Sequence, residues 1–533
     1  MKIQKMKIPA ILGALLVAGT LSAGAQMNSD SLYKEPYRPQ YHFSPEKGWI
    51  GDPSGFMYYQ GKYHMYWWGK VESTDLVHYQ QITPYAMTGA DDNISYFTGS
   101  AVVDKNNTAG FGKGAYVAAY TVFEKDSKKQ AQGISFSHDG KTFHYYEGNP
   151  VLDLWSTEFR DPTVFWHEPT QKWVMVVAKA LEKKIKFYTS PDLKSWTWTS
   201  DFGPAGDSEK SWECPDLFQL PVDGDSDKKR WVMVVSVNWA QEQYFIGDFD
   251  GTSFKLMDNH PAEPLYVDKG LDFYASRTFQ DFDGTLDSKI SMGWVATWDY
   301  APVAPSKYGK GFWSIPRNLE LKTYKEGVRL VQKPVEQLQT LRYKPASVKR
   351  ALSVGTQRLP GFVPDENVYE LDASFATDVS NTFGLNLCVG EGRKVVVSYD
   401  TDSHNLVIDR THCSDVQIPK FSRMAYARVE PVDNKIRLHI FVDKSSIEIF
   451  ANDGKDVFTL LTYPGEAKPV SNFLRRRRGR RWSWMPGCLN QYGDEEFNLY
   501  YFRLNVTFVV CFETKKIVSC CLVAYLCMVE KHN

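Results

Sequence analysis

A short Ser-x-Asp phrase recurs three times in the first half of the chain, and this repeat limits the fold more than any other feature. The copies begin at residues 73, 137 and 190, so they are spaced by roughly 50 to 65 residues, the length of several short strands. An apolar run at residues 173–177 also returns at residues 231–235. Repeats of this kind are typical of β-propeller blades, and a series of unrelated hairpins is the alternative.

The region that carries the repeats is predicted to be entirely β-structure. Residues 41–321 consist of short runs rich in Val, Tyr, Phe and Trp, separated by Asp, Gly, Asn and Pro, the pattern of strands and turns. At the observed repeat length this region holds five blades. We therefore predict an all-β fold that begins with a five-bladed β-propeller over residues 38–325.

A second domain is expected, because a chain of 533 residues is longer than one hydrophobic core usually supports. Residues 326–347 are predicted to be a linker with a short helix near residues 334–341. Strand alternation then resumes, for example at residues 435–443, and predicts a C-terminal β-sandwich over residues 348–470.

The two ends of the chain differ from these domains. Residues 1–25 combine early Lys residues, an apolar run and a final Ala-Gly-Ala, which predicts a secretory signal peptide and an exported, periplasmic or extracellular protein. A membrane anchor is the alternative, although the apolar run is shorter than the roughly 20 residues of a membrane span. Six Arg within residues 475–481 and closely spaced Cys predict an aberrant tail over residues 471–533, not natively structured, such as an out-of-frame translation would produce.

Charge and cysteine spacing argue against several classes of partner. The formal net charge is −1, which gives no reason to expect nucleic acid. No Cys or His spacing suggests a metal site. We expect no stable membrane insertion and no metal, and the sequence leaves the oligomeric state open.

Three acidic residues stand in unusual local settings. They are Asp52, Asp161 and Glu213, each within three residues of a Pro and among aromatic neighbours. The first strands of propeller blades converge on the central axis, so acids at the starts of different blades could meet in one funnel. Each acid alone could equally be structural, since Asp before Pro is common in turns.

Two converging carboxyl groups are the minimum machinery for cleaving a glycosidic bond. One attacks the anomeric carbon or activates water, and the other protonates the leaving oxygen. The acid must keep its proton near neutral pH, and we expect the apolar neighbours Trp212, Leu217 and Phe218 to favour this for Glu213. Arg160 should favour the ionised form of the adjacent Asp161, which suits hydrogen bonding to sugar hydroxyls.

These motifs resemble glycoside hydrolase family 32, the invertase, inulinase and levanase group. The family's Trp-Met-Asn-Asp-Pro-Asn-Gly motif is matched at residues 49–55, its Arg-Asp-Pro motif at 160–162 and its Glu-Cys-Pro-Asp motif at 213–216. Further matches lie at residues 42–45, 97–100, 272–275, 293–298, 314–317 and 441–450.

The resemblance implies a retaining β-fructofuranosidase that acts on fructan or sucrose without a cofactor. By resemblance, Asp52 is the nucleophile, Glu213 the general acid and base, and Asp161 the residue that stabilises the transition state. The residues implied to bind the sugar are Trp49, Trp68, Phe97, Thr98, Arg160, Cys214, Tyr274 and Trp298.

The chain departs from the family near the implied nucleophile. Gly51 and Ser54 stand where the family usually has Asn, and the segment between Tyr66 and Ser73 is shorter by roughly ten residues, removing a Gln and a closing loop. A lost hydrogen bond to a sugar hydroxyl costs on the order of 1 to 3 kcal/mol, so we expect a more open pocket and altered substrate choice. A fructan-binding propeller with weak catalysis, a transfructosylase and a related five-bladed family acting on arabinosides are the alternatives.

Overall fold

The computed structural model describes residues 33–350, 355–358, 362, 364, 366–377, 382–390, 392–414, 416–465, 470–476 and 495–502. In this part of the chain nearly all regular structure is β, and the only helices are short 3-10 segments: Glu168–Thr170, Ala180–Glu182, Ala301–Val303, Glu336–Leu341 and Asn452–Gly454. No helix of the described residues is long and apolar enough to cross a membrane. The expected signal peptide, residues 1–25, lies outside the described residues.

The N-terminal domain is a five-bladed β-propeller. Blade 1 contains the strands Ser54–Tyr59, Lys62–Tyr66, Lys70–Ser73 and Tyr79–Thr83. Blade 2 contains Ile94–Asp104, Ala115–Glu124, Gln130–Ser137, His144–Tyr145 and Leu152–Ser156, and blade 3 contains Phe159–His167, Lys172–Lys179, Lys184–Ser190 and Thr197–Phe202. Blade 4 contains Trp212–Val222, Asp225–Val237, Gln241–Phe249, Phe254–Leu256 and Leu265–Tyr266, and blade 5 contains Tyr274–Thr278, Lys289–Trp294, Arg317–Tyr324 and Gly327–Pro334. Two short strand pairs supplement the blades. Gln280–Asp281 pairs with the first strand of blade 1, and Gly48–Trp49 pairs with Gly309–Lys310. The first strands of successive blades contact each other.

The repeated Ser-x-Asp phrase forms the turn between the third and fourth strands of blades 1 to 3. In each copy the carboxylate of Asp75, Asp139 or Asp192 accepts hydrogen bonds from two backbone N–H groups further along the turn. Asp250 makes the same turn in blade 4. This copy was not recognised in the sequence because Asp248 stands where the other copies have Ser. These aspartates fix the turns of the blades at one end of the propeller.

Two six-stranded sheets form the C-terminal β-sandwich. One contains, in spatial order, Arg342–Arg350, Glu495–Phe502, Tyr369–Ala376, Lys435–Asp443, Ser446–Ala451 and Asp456–Leu461; the other contains Gly355–Arg358, Val470–Arg476, Thr382–Gly390, Arg393–Asp400, Asn405–Asp409 and Met424–Arg428. Their facing side chains form a single apolar core that includes Leu371, Leu385, Val397 and Ile440.

The structure corrects two expected boundaries. The linker expected over residues 326–347 is mostly strand, since Gly327–Pro334 completes blade 5 and Arg342–Arg350 opens the sandwich; only the segment around Glu336–Leu341 connects the domains. The tail expected to be unstructured from residue 471 contributes a strand to each sheet, Val470–Arg476 and Glu495–Phe502. Backbone pairing between neighbouring strands supplies hydrogen bonds that depend little on side-chain pattern. The other residues of that tail lie outside the described residues.

Buried charges join the two domains. The His42 ring bridges the carboxylates of Asp443 and Glu448, with 2.8 Å to each. Arg317 of blade 5 donates to Glu448 at 2.5 Å and to Asp268 at 3.0 Å. Because all these groups are buried, each charge depends on its partners, and the contacts of His42 and Arg317 with Glu448 cross the domain boundary.

Candidate active site

One end of the propeller collects the predicted catalytic residues, because the first strand of each blade begins there. Asp52 lies just before the first strand of blade 1, Asp161 lies in that of blade 3, and Glu213 in that of blade 4. The Ser-x-Asp turns lie at the opposite end, since four antiparallel strands place alternate connections on opposite ends. The topology thus separates the candidate chemistry from the structural turns.

A β-bulge occurs near the start of the first strand in every blade. The pairing register between the first and second strands shifts at residues 54–57, 96–99, 160–163, 213–216 and 274–277. Asp161 and Cys214 lie within these bulges with φ values of 64° and 48°. A bulge turns a side chain away from its regular direction in the sheet, and here the bulges bring site residues of several blades together.

The two carboxylate oxygens of Asp52 differ in their hydrogen bonding. Its Oδ2 accepts a 2.6 Å hydrogen bond from the Thr98 hydroxyl. Its Oδ1 is buried and has no hydrogen-bond partner among the described residues. Burial raises the pKa of Asp52, although the Thr98 hydrogen bond opposes this. A buried carboxylate oxygen without a donor is suited to attack an electron-poor carbon placed above it.

Cys214 lies between two of the acids. Its thiol is 3.6 Å from Asp52 Oδ2 and 3.5 Å from Asp161 Oδ2, and its backbone N–H donates to the same Asp161 oxygen at 3.2 Å. Burial raises the pKa of this thiol well above its usual value. The protonated thiol can therefore donate to either carboxylate, while the Cys214 backbone N–H holds Asp161.

Asp161 is buried among charges of both signs. Burial raises its pKa to about 7; the Arg160 guanidinium opposes this shift, while the negative charges of Glu213 and Asp52 add to it. Arg160 thus favours the ionised form of Asp161, as its position in the sequence suggested, but burial and the two nearby carboxylates outweigh it. Neighbours along a strand point to opposite sides, and Arg160 reaches a different carboxylate.

Glu213 is the carboxylate that Arg160 contacts. The guanidinium donates to Glu213 Oε1 from Nε at 3.0 Å and from Nη2 at 2.7 Å. The Tyr274 hydroxyl donates to Glu213 Oε2. Trp212, expected to desolvate Glu213, packs instead into the core between blades 3 and 4.

The surroundings of Glu213 therefore differ from the apolar pocket that its sequence neighbours suggested. Leu217 packs in the same core as Trp212, and Phe218 packs in the core between blades 4 and 5. Arg160 is itself held by Glu158 at 2.6 Å and by Gln130 at 3.0 Å. These two anchors were not predicted from the sequence, although Glu158 precedes Arg160 by only two residues.

Four of the predicted sugar-binding aromatics line the rim of the site. Trp49 stacks on Trp298 with ring centroids 5.8 Å apart. On the blade 1 and 2 side, Trp68 donates from its indole to the Tyr96 carbonyl at 3.2 Å, next to Phe97. Trp68 and Trp298 are 40% and 44% exposed, so their rings are available to a ligand.

The departures from the family pattern coincide with an open cleft between blades 1 and 2. The cleft is open to solvent, has about 40 Å³ accessible to water, and is lined by Ser54, Trp68 and Phe97 among others. A Cβ atom on Gly51 would lie 3.1 Å from the Trp49 indole nitrogen, so a larger residue there would require Trp49 to shift. Residues 66–70 form the short hairpin beside this cleft.

No group of three or more His, Cys, Asp or Glu side chains that could hold a metal ion occurs in the part of the chain that the structure describes. The site contains three carboxyl groups, and Oδ1 of Asp52 is free to act as a nucleophile. Arg160 and Tyr274 both donate to Glu213, and aromatic rings form the rim. These features fit the cleavage of a sugar bond.

Family models match most of the chain. The model "Glycosyl hydrolases family 32 N-terminal domain" matches residues 42–334, and "Glycosyl hydrolases family 32 C terminal" matches residues 335–474. These limits agree with the propeller and with most of the sandwich described above.

Sequence relatives and solved structures point in the same direction. A levanase of Bacillus subtilis (strain 168) is 41% identical over 474 residues, which cover 84% of this chain and 69% of the relative. The extracellular exo-inulinase inuE of Aspergillus niger is 33% identical over 85% of this chain and 94% of its own length. The crystal structure of exo-inulinase from Aspergillus awamori superposes with a TM-score of 0.78 and 30% identity, covering 89% of this chain and 99% of that one.

Proposed function

The chain belongs to glycosyl hydrolase family 32, and on that premise we propose that it is a retaining β-fructofuranosidase that releases fructose from fructan or sucrose. The buried, partnerless Oδ1 of Asp52, beside two further carboxyl groups, is the observation that carries the assignment of roles. The similarity to a levanase and to extracellular exo-inulinases supports fructan as substrate and export from the cell.

In the first step Asp52 Oδ1 attacks the anomeric carbon of the terminal fructosyl unit. The bond from that carbon to the leaving oxygen breaks, and Glu213 transfers its proton to this oxygen. Thr98 holds the other oxygen of Asp52 at 2.6 Å, which keeps the attacking oxygen in place. The products of this step are a fructosyl ester on Asp52 and a free leaving sugar.

In the second step Glu213 takes a proton from a water molecule, whose oxygen attacks the same carbon and releases Asp52. The hydrogen bonds from Arg160 and Tyr274 orient Glu213 for both transfers. Asp161 accepts hydrogen bonds from the fructose hydroxyls when it is ionised. Its contact with the Cys214 backbone keeps it beside the reacting ring.

The proposal is tested with the chain lacking residues 1–25 and its Asp52→Asn and Glu213→Gln variants. Asp225→Asn, an exposed acid at the far end of blade 4, is the matched control. Release of fructose from levan, inulin and sucrose is measured. We expect both site variants to lose at least about 100-fold in kcat and the control to match the parent.

Mass spectrometry of rapidly denatured protein then identifies the nucleophile. A fructosyl adduct on a peptide containing Asp52, present in the parent and absent from Asp52→Asn, is expected. An active Asp52→Asn variant, or an adduct on another residue, would contradict the assigned mechanism.

A further inference from the structure

Four exposed tryptophans of the propeller lie at the end that carries the acids. Connections between second and third strands, and from one blade to the next, all lie at this end. Trp68, Trp239 and Trp298 lie in connections of the first kind, and Trp155 lies at the end of blade 2, where the chain passes to blade 3. All four are at least 40% exposed, and Trp155 is 83% exposed.

Trp155 is exposed but is held in place. Its φ of 52° is rare for a residue with a bulky side chain, and its backbone N–H donates to Asp153 at 2.7 Å. The ammonium group of Lys129 lies over its ring, 4.5 Å from the centroid. Lys129 is in turn fixed by Glu124 and Asp153, at 2.7 Å and 3.2 Å. One face of the indole is thus supported and the other faces solvent.

Trp155 precedes residues of the candidate active site by only a few positions in the chain. Three residues later, Glu158 binds the guanidinium of Arg160, which holds Glu213. A ring that Lys129 supports before a ligand arrives binds that ligand at a low entropic cost.

We propose that Trp155 forms a platform that binds fructan units beyond the bond being cleaved. This inference rests on the proposed fructosidase function. Glu213 protonates the leaving oxygen, so the rest of a polymer must depart past the segment that anchors Glu213. Aromatic rings stack on the apolar faces of sugars, and a supported indole with one free face offers that contact. Sucrose, whose leaving unit is a single sugar, is too short to use the platform.

The test compares Trp155→Ala with Trp198→Ala. Trp198 is a matched control, since it is 56% exposed and has a Lys over its ring at 5.6 Å, but lies at the opposite end of blade 3. Kinetics are measured on sucrose and on long-chain levan and inulin. Trp155→Ala should raise KM for the polymer by about two- to tenfold, the range that an aromatic contact provides, and leave sucrose kinetics and kcat unchanged.

Native gel electrophoresis through levan or inulin gives a readout that does not need activity. We expect weaker retardation of Trp155→Ala than of the parent and of Trp198→Ala. Equal retardation and equal polymer KM would overturn the platform, and so would an equal loss on sucrose and polymer, which would assign Trp155 to positioning of Arg160. If the parent cleaves nothing, the proposed function fails, while the retardation difference still decides the platform.

Discussion

Replacing Asp161 with Asn is expected to stabilise the protein while removing its activity. Asp161 is 4% exposed, and burial, opposed by Arg160 and reinforced by Glu213 and Asp52, raises its pKa to about 7. The Asn side chain keeps an oxygen that can accept the hydrogen bond from the Cys214 backbone. The substitution therefore removes the charge with little change in shape.

The carboxyl group of Asp161 loses its proton at a higher pH in the folded chain than in the unfolded chain. Below about pH 4 the carboxyl group is protonated in the folded and the unfolded chain. Between about pH 4 and 7 only the folded chain keeps the proton, so stability falls as the pH rises and levels off above about pH 7. One pKa unit corresponds to about 1.4 kcal/mol, so ionising Asp161 costs up to about 4 kcal/mol at pH 8, of which about 3 kcal/mol accumulates between pH 5 and 8.

Thermal unfolding at pH 5 and pH 8 measures this cost. Asp161→Asn should melt above the parent by an amount that increases from pH 5 to pH 8, on the order of a few degrees. Asp192→Asn is the control: backbone N–H donors overcome the effect of burial and lower the Asp192 pKa, so this variant should lose stability by a similar amount at both values. An Asp161→Asn variant that is no more stable than the parent at pH 8 would refute the reasoning.

Three further outcomes are expected. Burial lowers the pKa of His42, but hydrogen bonds that its ring donates to two carboxylates outweigh burial and raise this pKa to about 9. The contribution of His42 to stability is therefore complete below about pH 6.5 and is lost as the pH rises through about 9. His42→Asn should cost about 3 to 5 kcal/mol at pH 6 and flatten the alkaline decline in melting temperature; an unchanged pH profile would exclude this. Thr98→Val should lower kcat/KM about 10- to 100-fold and move the acid limb of the pH–rate profile upward, because the pKa of Asp52 loses an opposing hydrogen bond; a limb that stays in place would count against that contact. Gly51→Ala should raise KM for sucrose by about two- to fivefold as Trp49 shifts, with a change in tryptophan fluorescence, and identical spectra would argue against the shift.

The propeller could be predicted from sequence because its repeat is local. Each Ser-x-Asp turn is complete within a few residues, so the spacing between turns gives the length of one blade and hence the number of blades. The acids could be named for a similar reason, since each stands beside a Pro in a short motif. Their partners could not, because the contact of Arg160 with Glu213 joins residues 53 positions apart. The strands at residues 470–476 and 495–502 were missed because their place is decided by the open positions in the two sheets rather than by their own pattern.

The arrangement of the blades separates the chemistry from the part of the pocket that departs from the family. Asp161, Glu213 and Tyr274 come from blades 3, 4 and 5, and each is held by contacts that do not involve blade 1 beyond Asp52 itself. The changed residues and the short hairpin all lie in or before blade 1, and Ser54 and the hairpin line the cleft between blades 1 and 2. Because Thr98 of blade 2 still fixes Asp52, opening this side removes contacts to the sugar without displacing the nucleophile. The departures should therefore alter which fructosyl substrates fit, and their effect should appear in KM more than in kcat.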